Sequence, residues 1–266
     1  MILNDKKILA VASDFDGTII KKGMAAPPDS FFHVVEDLLN NGIPFIAASG
    51  RQYANLRRIL HPIADRIQYI AENGCLVLYQ GKVIHKSPIT HSLAVELLED
   101  MKKYSEAEIL VSGENTSYIV TENTEYIDKL QNYYHNNVTL LQDFSEIPED
   151  MIKLSIYWKE GIPAGPEKTF HEKYDSLLHV ADGGNGWLDF NALGTGKGEA
   201  LRVLADHMGI PTSGIVVFGD NENDITMLKE AGLSYAVASA RPPIQAIADF
   251  VCDNVEDILK AALRNR

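Results

Sequence analysis

The chain has 266 residues, 45% of them hydrophobic, and a net charge of −13. That hydrophobic share supports a sizeable core and excludes a disordered chain, while the negative balance argues against nucleic acid and anionic membranes as partners. Apolar runs stay well short of the roughly 18 residues a bilayer crossing needs, and the N-terminal MILNDKKIL lacks the apolar segment and cleavage site of a secretory leader, so a cytoplasmic protein is expected.

Taken in chain order, short apolar runs alternate with helical patterns. KILAVAS (7–13) reads as a buried strand, FFHVVEDLLNNG (31–42) as a helix with a Gly stop, IPFIAAS (43–49) as a strand, QYANLRRIL (52–60) as a helix and IQYIA (67–71) as a strand. Toward the other end, KGEALRVLADHMG (197–209) is a helix, GIVVFG (214–219) a strand, DITMLKEAG (224–232) a helix and SYAVA (234–238) a strand. PPIQAIADF (242–250) and VEDILKAALR (255–264) read as helices, the first opened by proline. Such alternation predicts an α/β fold, a doubly wound parallel sheet.

The middle differs. AEILVSG, TSYIVT, VTLLQ, IKLSIYW and SLLHVA are amphipathic strands separated by helices, the pattern of an antiparallel sheet with one face covered by helices. The expected organisation is an α/β core formed by 1–86 and 184–266. An inserted α+β domain spans 87–183 and sets substrate specificity, with hinges at Lys86–Pro88 and Gly183–Gly186.

Ligands of an open parallel sheet sit beyond the carboxyl ends of its strands. Asp14 and Asp16 follow the first strand, Ser49, Gly50 and Arg51 the second, and Asp220, Asn223 and Asp224 the strand 214–219, while Lys197 opens a helix. A carboxylate is ionised at neutral pH and attacks phosphorus without a base to activate it. Its repulsion by a phosphate dianion is removed by a divalent cation, and hard oxygen ligands such as Asp14 and Asp220 favour Mg²⁺. Lys197 supplies a fixed positive charge to phosphoryl oxygens, and Ser49 and the amides near Phe15 and Gly50 supply hydrogen bonds. Asp16, one residue beyond Phe15, fits a proton shuttle: an acid toward the leaving oxygen, then a base toward water.

Each station read singly is ambiguous. Asp pairs after strands form turns, Ser49 could cap the next helix, Lys197 could be a surface lysine, and GDNEND could be an exposed acidic turn. Their joint occurrence, each at a strand end or helix start, favours phosphoryl transfer. Elsewhere the expectations are plainer. Cys75 and Cys252 are buried thiols, the eight histidines show no metal spacing, and Trp158 and Trp187 are packing residues. Arg51 points to solvent, Asp189 and Asn191 are solvated loop positions, and Asn73 in ENG either faces the crevice or belongs to an ordinary glycine turn.

The set DFDGT at Asp14–Thr18, the Ser49 of SGR, Lys197 and GDNEND at Gly219–Asp224 resembles the four motifs of the haloacid dehalogenase-like phosphatases. Asp14 and Ser49 lie 35 positions apart and Ser49 and Lys197 lie 148 apart. Those gaps resemble the Cof-type subclass, whose α/β cap is inserted between the second and third motifs. The resemblance implies an aspartyl-phosphate on Asp14, Asp16 as acid/base, and Mg²⁺ held by Asp14, the main-chain carbonyl of Asp16 and Asp220. It also implies that Ser49, Gly50, Lys197 and Asn223 bind the phosphoryl group, with Asp224 supporting the metal or Lys197. The expected activity is hydrolysis of a small phosphorylated metabolite, of the sugar phosphate or phosphorylated cofactor class. A phosphosugar mutase and a non-catalytic phosphometabolite-binding module are the alternatives, and oligomeric state is not readable.

Overall fold

The computed structural model describes residues 1–264, which fall into two compact units. Among the described residues, the first comprises 1–51, 56–85 and 196–264; the second comprises 52–55 and 86–195. No helix among the described residues is long and apolar enough to cross a membrane.

An eight-stranded sheet organises the first unit. Its order across the sheet is Phe250–Cys252, Leu233–Val237, Ile215–Gly219, Ala10–Ser13, Phe45–Ala48, Gln68–Ala71, Leu76–Tyr79 and Lys82–Lys86. The first six run parallel, and Leu76–Tyr79 turns back antiparallel to Gln68–Ala71. The central strands are buried on both faces, which is why AVAS, FIAA and IVVFG read as apolar runs without alternation. Phe15, directly after the first of these strands, is fully buried edge-on to Phe31 and Phe45, at centroid separations of 5.8 and 6.5 Å. Burying such a ring contributes about 1.5–3 kcal/mol. It also anchors the loop that carries Asp14 and Asp16.

One helix is shorter than its spacing suggested. Only Pro242–Gln245 of the 242–250 stretch is helical, and Phe250–Cys252 becomes the edge strand. Asp249 accepts hydrogen bonds from the Ser234 amide at 2.9 Å and its hydroxyl at 3.1 Å, which ties the chain to the neighbouring strand instead of another helical turn.

The second unit is built on a six-stranded sheet in the order Val138–Leu140, Ser117–Ile119, Glu108–Ser112, Lys153–Tyr157, Trp187–Ala192 and Leu178–Gly184. All neighbours are antiparallel, as expected, except the first pair: Ser117–Ile119 and Val138–Leu140 run parallel, because the helical segment between them carries the chain back before the second strand begins. Val111, Leu154, Ile156, Leu188 and Phe190 form a core with the helices His91–Met101 and Ala164–Tyr174. Because Trp187–Ala192 pairs inside this sheet, the unit ends at 195 and not at the expected 183. The GGNG stretch is a hairpin turn, not a hinge: Gly184, Asn185 and Gly186 all have positive φ, at 78°, 52° and 88°. Asp189 and Asn191, expected in a solvated loop, lie on that strand, where Asn191 is buried and the Ser155 hydroxyl donates to Asp189 at 2.6 Å.

Asp100, in the last turn of His91–Met101, accepts hydrogen bonds from Lys103 (2.6 Å), Lys173 (2.6 Å) and the Tyr174 hydroxyl (2.7 Å). Burial pushes its carboxyl up, but these donors together outweigh burial and hold it well below the usual carboxylate range. A depressed folded-state pKa means stability that is present above the unfolded value, near 3.9, and lost as pH falls through the folded one. Asp100→Asn is therefore expected to cost about 1–3 kcal/mol at neutral pH. In urea unfolding, the gap to wild type should narrow progressively below about pH 4; a gap independent of pH would remove the ionised carboxylate as its cause.

Candidate active site

The residues singled out by the sequence at the strand ends all belong to the first unit. Asp14 continues the Ala10–Ser13 strand, its amide bonded to the Phe218 carbonyl at 2.9 Å, so the first and last motifs are stitched together by the sheet. After Phe15 dives into the core, the chain curls back: the Ile20 amide donates to the Phe15 carbonyl at 2.7 Å and the Gly17 amide to the Ile20 carbonyl at 2.9 Å. Gly17 makes this curl at φ 95°, and a Cβ there would collide with the Asp220 carboxylate. Thr18, not among the expected site residues, donates to Asp220 Oδ1 at 3.1 Å.

Lys197 is fully buried, and its ammonium donates to Asp14 Oδ1 and Asp224 Oδ1, both at 2.7 Å. Asp224 has further duties: its Oδ2 accepts from the amides of Asp220 (2.9 Å) and Asn221 (3.1 Å). Carboxylate oxygens of Asp14, Asp220 and Asp224 lie within 4.8 Å of one another. Since both Asp224 oxygens are committed, that residue holds Lys197 and shapes the loop, leaving Asp14 and Asp220 to face a ligand. Asp14 Oδ2 is buried with no hydrogen-bond partner.

The electrostatics follow from this crowding. Burial pushes Asp14 well above the ordinary carboxylate range, opposed by Lys197 and reinforced by Asp224 and Asp220. Burial, then Asp224, raises Asp220, against the pull of the Thr18 hydroxyl. Burial lowers Lys197, but Asp14 and Asp224 more than reverse it, so the ammonium stays charged. Three carboxylates thus crowd together around one ammonium, which is bonded to two of them. A hard divalent cation fits this set, because oxygen donors and excess negative charge are what it requires.

Ser49 is buried beyond the Phe45–Ala48 strand. Its hydroxyl oxygen accepts from the Arg51 amide at 3.2 Å, a serine turn ahead of the helix Tyr53–Ile59, which leaves the O–H free to donate. A Cβ at Gly50 would lie 2.7 Å from Asn73 Oδ1, so a side chain there would push Asn73 aside. Asn73 is brought into the site at φ 58°, with its amide bonded to the Ser49 carbonyl at 3.1 Å. The Asn223 side chain donates to Asn73 Oδ1 at 3.0 Å, so the second and fourth motifs meet through it. Arg51 does not point to solvent; it grips the Asp16 carboxylate, Nε to Oδ2 and Nη2 to Oδ1, both at 2.6 Å. A positively charged side chain 35 positions away in sequence left no local signal of that pairing.

The geometry is matched by similarity. The model of the haloacid dehalogenase-like hydrolases matches residues 11–261. The chain belongs to this family. This hydrolase is 28% identical over 262 residues to the Escherichia coli (strain K12) protein named 5-amino-6-(5-phospho-D-ribitylamino)uracil phosphatase YbjI, covering 95% of this chain and 97% of the relative. It is 22% identical over 267 residues to the Bacillus subtilis (strain 168) phosphatase YcsE, named for the same compound, covering 98% and 96%. A crystal structure from Eubacterium rectale superposes with a TM-score of 0.86 at 25% identity, covering 96% of this chain and 99% of that one. The subclass IIB sugar phosphatase BT4131 shares the fold, with a TM-score of 0.81 at 22% identity over 95% and 98% of the two chains. The hydrolase is accordingly a phosphoric monoester hydrolase of the Cof-type branch.

The second unit has a cleft of its own of about 920 Å³, lined by Lys129, Tyr133, Tyr134, Tyr157 and Asp182 among others. The Lys129 ammonium sits 3.9 Å from the centre of the Tyr157 ring. Trp187 packs on the same tyrosine at a centroid separation of 4.8 Å, a packing role as expected.

Proposed function

We propose that this hydrolase removes phosphate from a small phosphorylated metabolite with the help of Mg²⁺, carrying the phosphoryl group transiently on Asp14. The observation that carries the reading is the divided Asp14 carboxylate: Oδ1 is pinned by Lys197 while buried Oδ2 has no donor of its own. A bound Mg²⁺ would be held by Asp14, Asp220 and the main-chain carbonyl of Asp16, and would neutralise the repulsion between carboxylate and phosphate.

The chain's own residues supply the rest. Lys197 orients Asp14 and presents its charge to the phosphoryl oxygens, joined by the Ser49 hydroxyl, the Gly50 amide and Asn223. As an Asp14 oxygen bonds to phosphorus, the ester P–O bond breaks and its electron pair goes to the leaving oxygen, which takes a proton from Asp16. Water then attacks phosphorus and gives a proton to the Asp16 carboxylate, while the bonding pair returns to Asp14. Both residues end as they began.

The second unit is proposed to select the organic part of the substrate, since loop-borne contacts vary freely between relatives. The ribitylaminouracil phosphate named for two of the relatives is the first compound to test, beside a panel of sugar phosphates. Turnover of p-nitrophenyl phosphate is expected to fall to background in EDTA and to return when Mg²⁺ is added. Undiminished turnover in EDTA would remove the metal. Release of inorganic phosphate without an isomerised ester separates hydrolysis from a mutase reaction.

A further inference from the structure

Asp16 of the first motif and Arg51 beside the second form a two-point ion pair. The Asp16 side chain is 51% exposed and that of Arg51 25%. Both carboxylate oxygens are engaged by one guanidinium, at 2.6 Å each. A half-exposed aspartate would otherwise sample several rotamers in water, and a bidentate fork selects one of them.

The Arg51 backbone is fixed independently. Its amide donates to Ser49 Oγ at 3.2 Å, and its carbonyl accepts from the Glu72 amide at 3.1 Å. One residue therefore connects the expected phosphate station at Ser49, the ENG turn and the expected proton shuttle. We propose that Arg51 is a positioning residue for proton transfer, setting the direction in which Asp16 presents its carboxyl to the ester oxygen of the substrate. This rests on the phosphatase reading and sharpens it.

The chemistry gives the pair a signature. When the Asp14–phosphorus bond forms and the ester bond breaks, an alkoxide leaving group needs the Asp16 proton, whereas p-nitrophenolate departs without one. The charge of Arg51 also bears on the strength of the acid, so its direction is isolated by a variant that keeps the charge and loses the fork. A lysine at position 51 retains charge but not the fork, so it is expected to behave like alanine.

The test is single-turnover release of the leaving group from p-nitrophenyl phosphate and from an alkyl phosphate, in wild type, Arg51→Ala, Arg51→Lys, Asp16→Asn and the Asp16→Asn/Arg51→Ala double variant. Both Arg51 variants should lose about 10²-fold or more in rate on the alkyl ester, in line with the usual worth of general acid catalysis, with little change in KM or on the nitrophenyl ester. The double variant should lose no more than Asp16→Asn alone, and guanidinium ion added to Arg51→Ala should restore part of the alkyl rate. Equal losses on both esters, a rise in KM with an unchanged rate, or additive losses in the double variant would each overturn the proposal. Wild-type turnover of the two esters, read in the same series, tests the phosphatase reading separately from the dependence on leaving group.

Discussion

Replacing Asp14 with asparagine is expected to lower kcat on any phosphate ester by at least about 10⁴-fold, the scale on which removal of a nucleophile acts. The side chain keeps its shape, so Lys197 can still donate to an oxygen at the Oδ1 position it now contacts at 2.7 Å. What disappears is the anionic oxygen that would bond to phosphorus. The same change should raise the stability of the metal-free protein. Burial raises the Asp14 pKa in the folded state, so stability present below the unfolded value is lost as pH rises through the folded one. Asparagine carries no charge to desolvate, and a gain of about 1–3 kcal/mol at neutral pH follows. Loss of turnover with a raised Tm is the combined result to look for; a fall in both would mean that Asp14 acts chiefly as a structural ion-pair partner. Such opposition between activity and stability is usual where charges are held for chemistry.

Lys197→Met is the second large effect, and it runs the other way on stability. The ammonium is the cation that Asp14 and Asp224 share, with none of its surface exposed. Removing it leaves buried carboxylates without compensation, which typically costs about 3–5 kcal/mol. Turnover should be lost as well, since the group oriented by the ammonium and the charge offered to phosphate vanish together. Urea unfolding in EDTA gives the stability cost, and adding Asp14→Asn to the variant should recover part of it by removing one of the stranded charges. Millimolar Mg²⁺ should narrow the gap further, because Asp14 without its ammonium partner binds the cation more tightly than in wild type, and the variant gains more by mass action. An unchanged unfolding midpoint in Lys197→Met would contradict the description of the site as charge-strained.

The positions of Asp14, Ser49, Lys197 and Asp220 were legible because each lies where an apolar run stops or a glycine-flanked helix begins, and a parallel sheet gathers such ends along one edge. Arg51 was not legible. Its spacing placed it at a helix start, and only the folded chain brings it to Asp16. Asn73 was ambiguous for a similar reason: ENG is an ordinary turn until Gly50 and Asn223 are packed against it. The missed strand at Trp187–Ala192 has clean alternation, with Leu188 and Phe190 facing the helices and Asp189 and Asn191 the other face. The preceding glycines, whose positive φ values build a hairpin turn, have the same composition as a hinge between domains. Helical spacing at 242–250 gave way to tertiary pairing, because one carboxylate, Asp249, found two donors on Ser234 of an adjacent strand.

The central claim, a phosphoryl group carried by Asp14, is tested most directly by trapping. Acid-quenching the enzyme during turnover with Mg²⁺ and treating it with borohydride reduces an acyl phosphate to an alcohol, and peptide mass spectrometry locates the reduced residue. The account predicts reduction at position 14 in wild type, dependent on substrate, and none in Asp14→Asn. Reduction at another carboxylate, or steady turnover with no reducible intermediate in an enzyme whose Asp14→Asn form stays active, would contradict it.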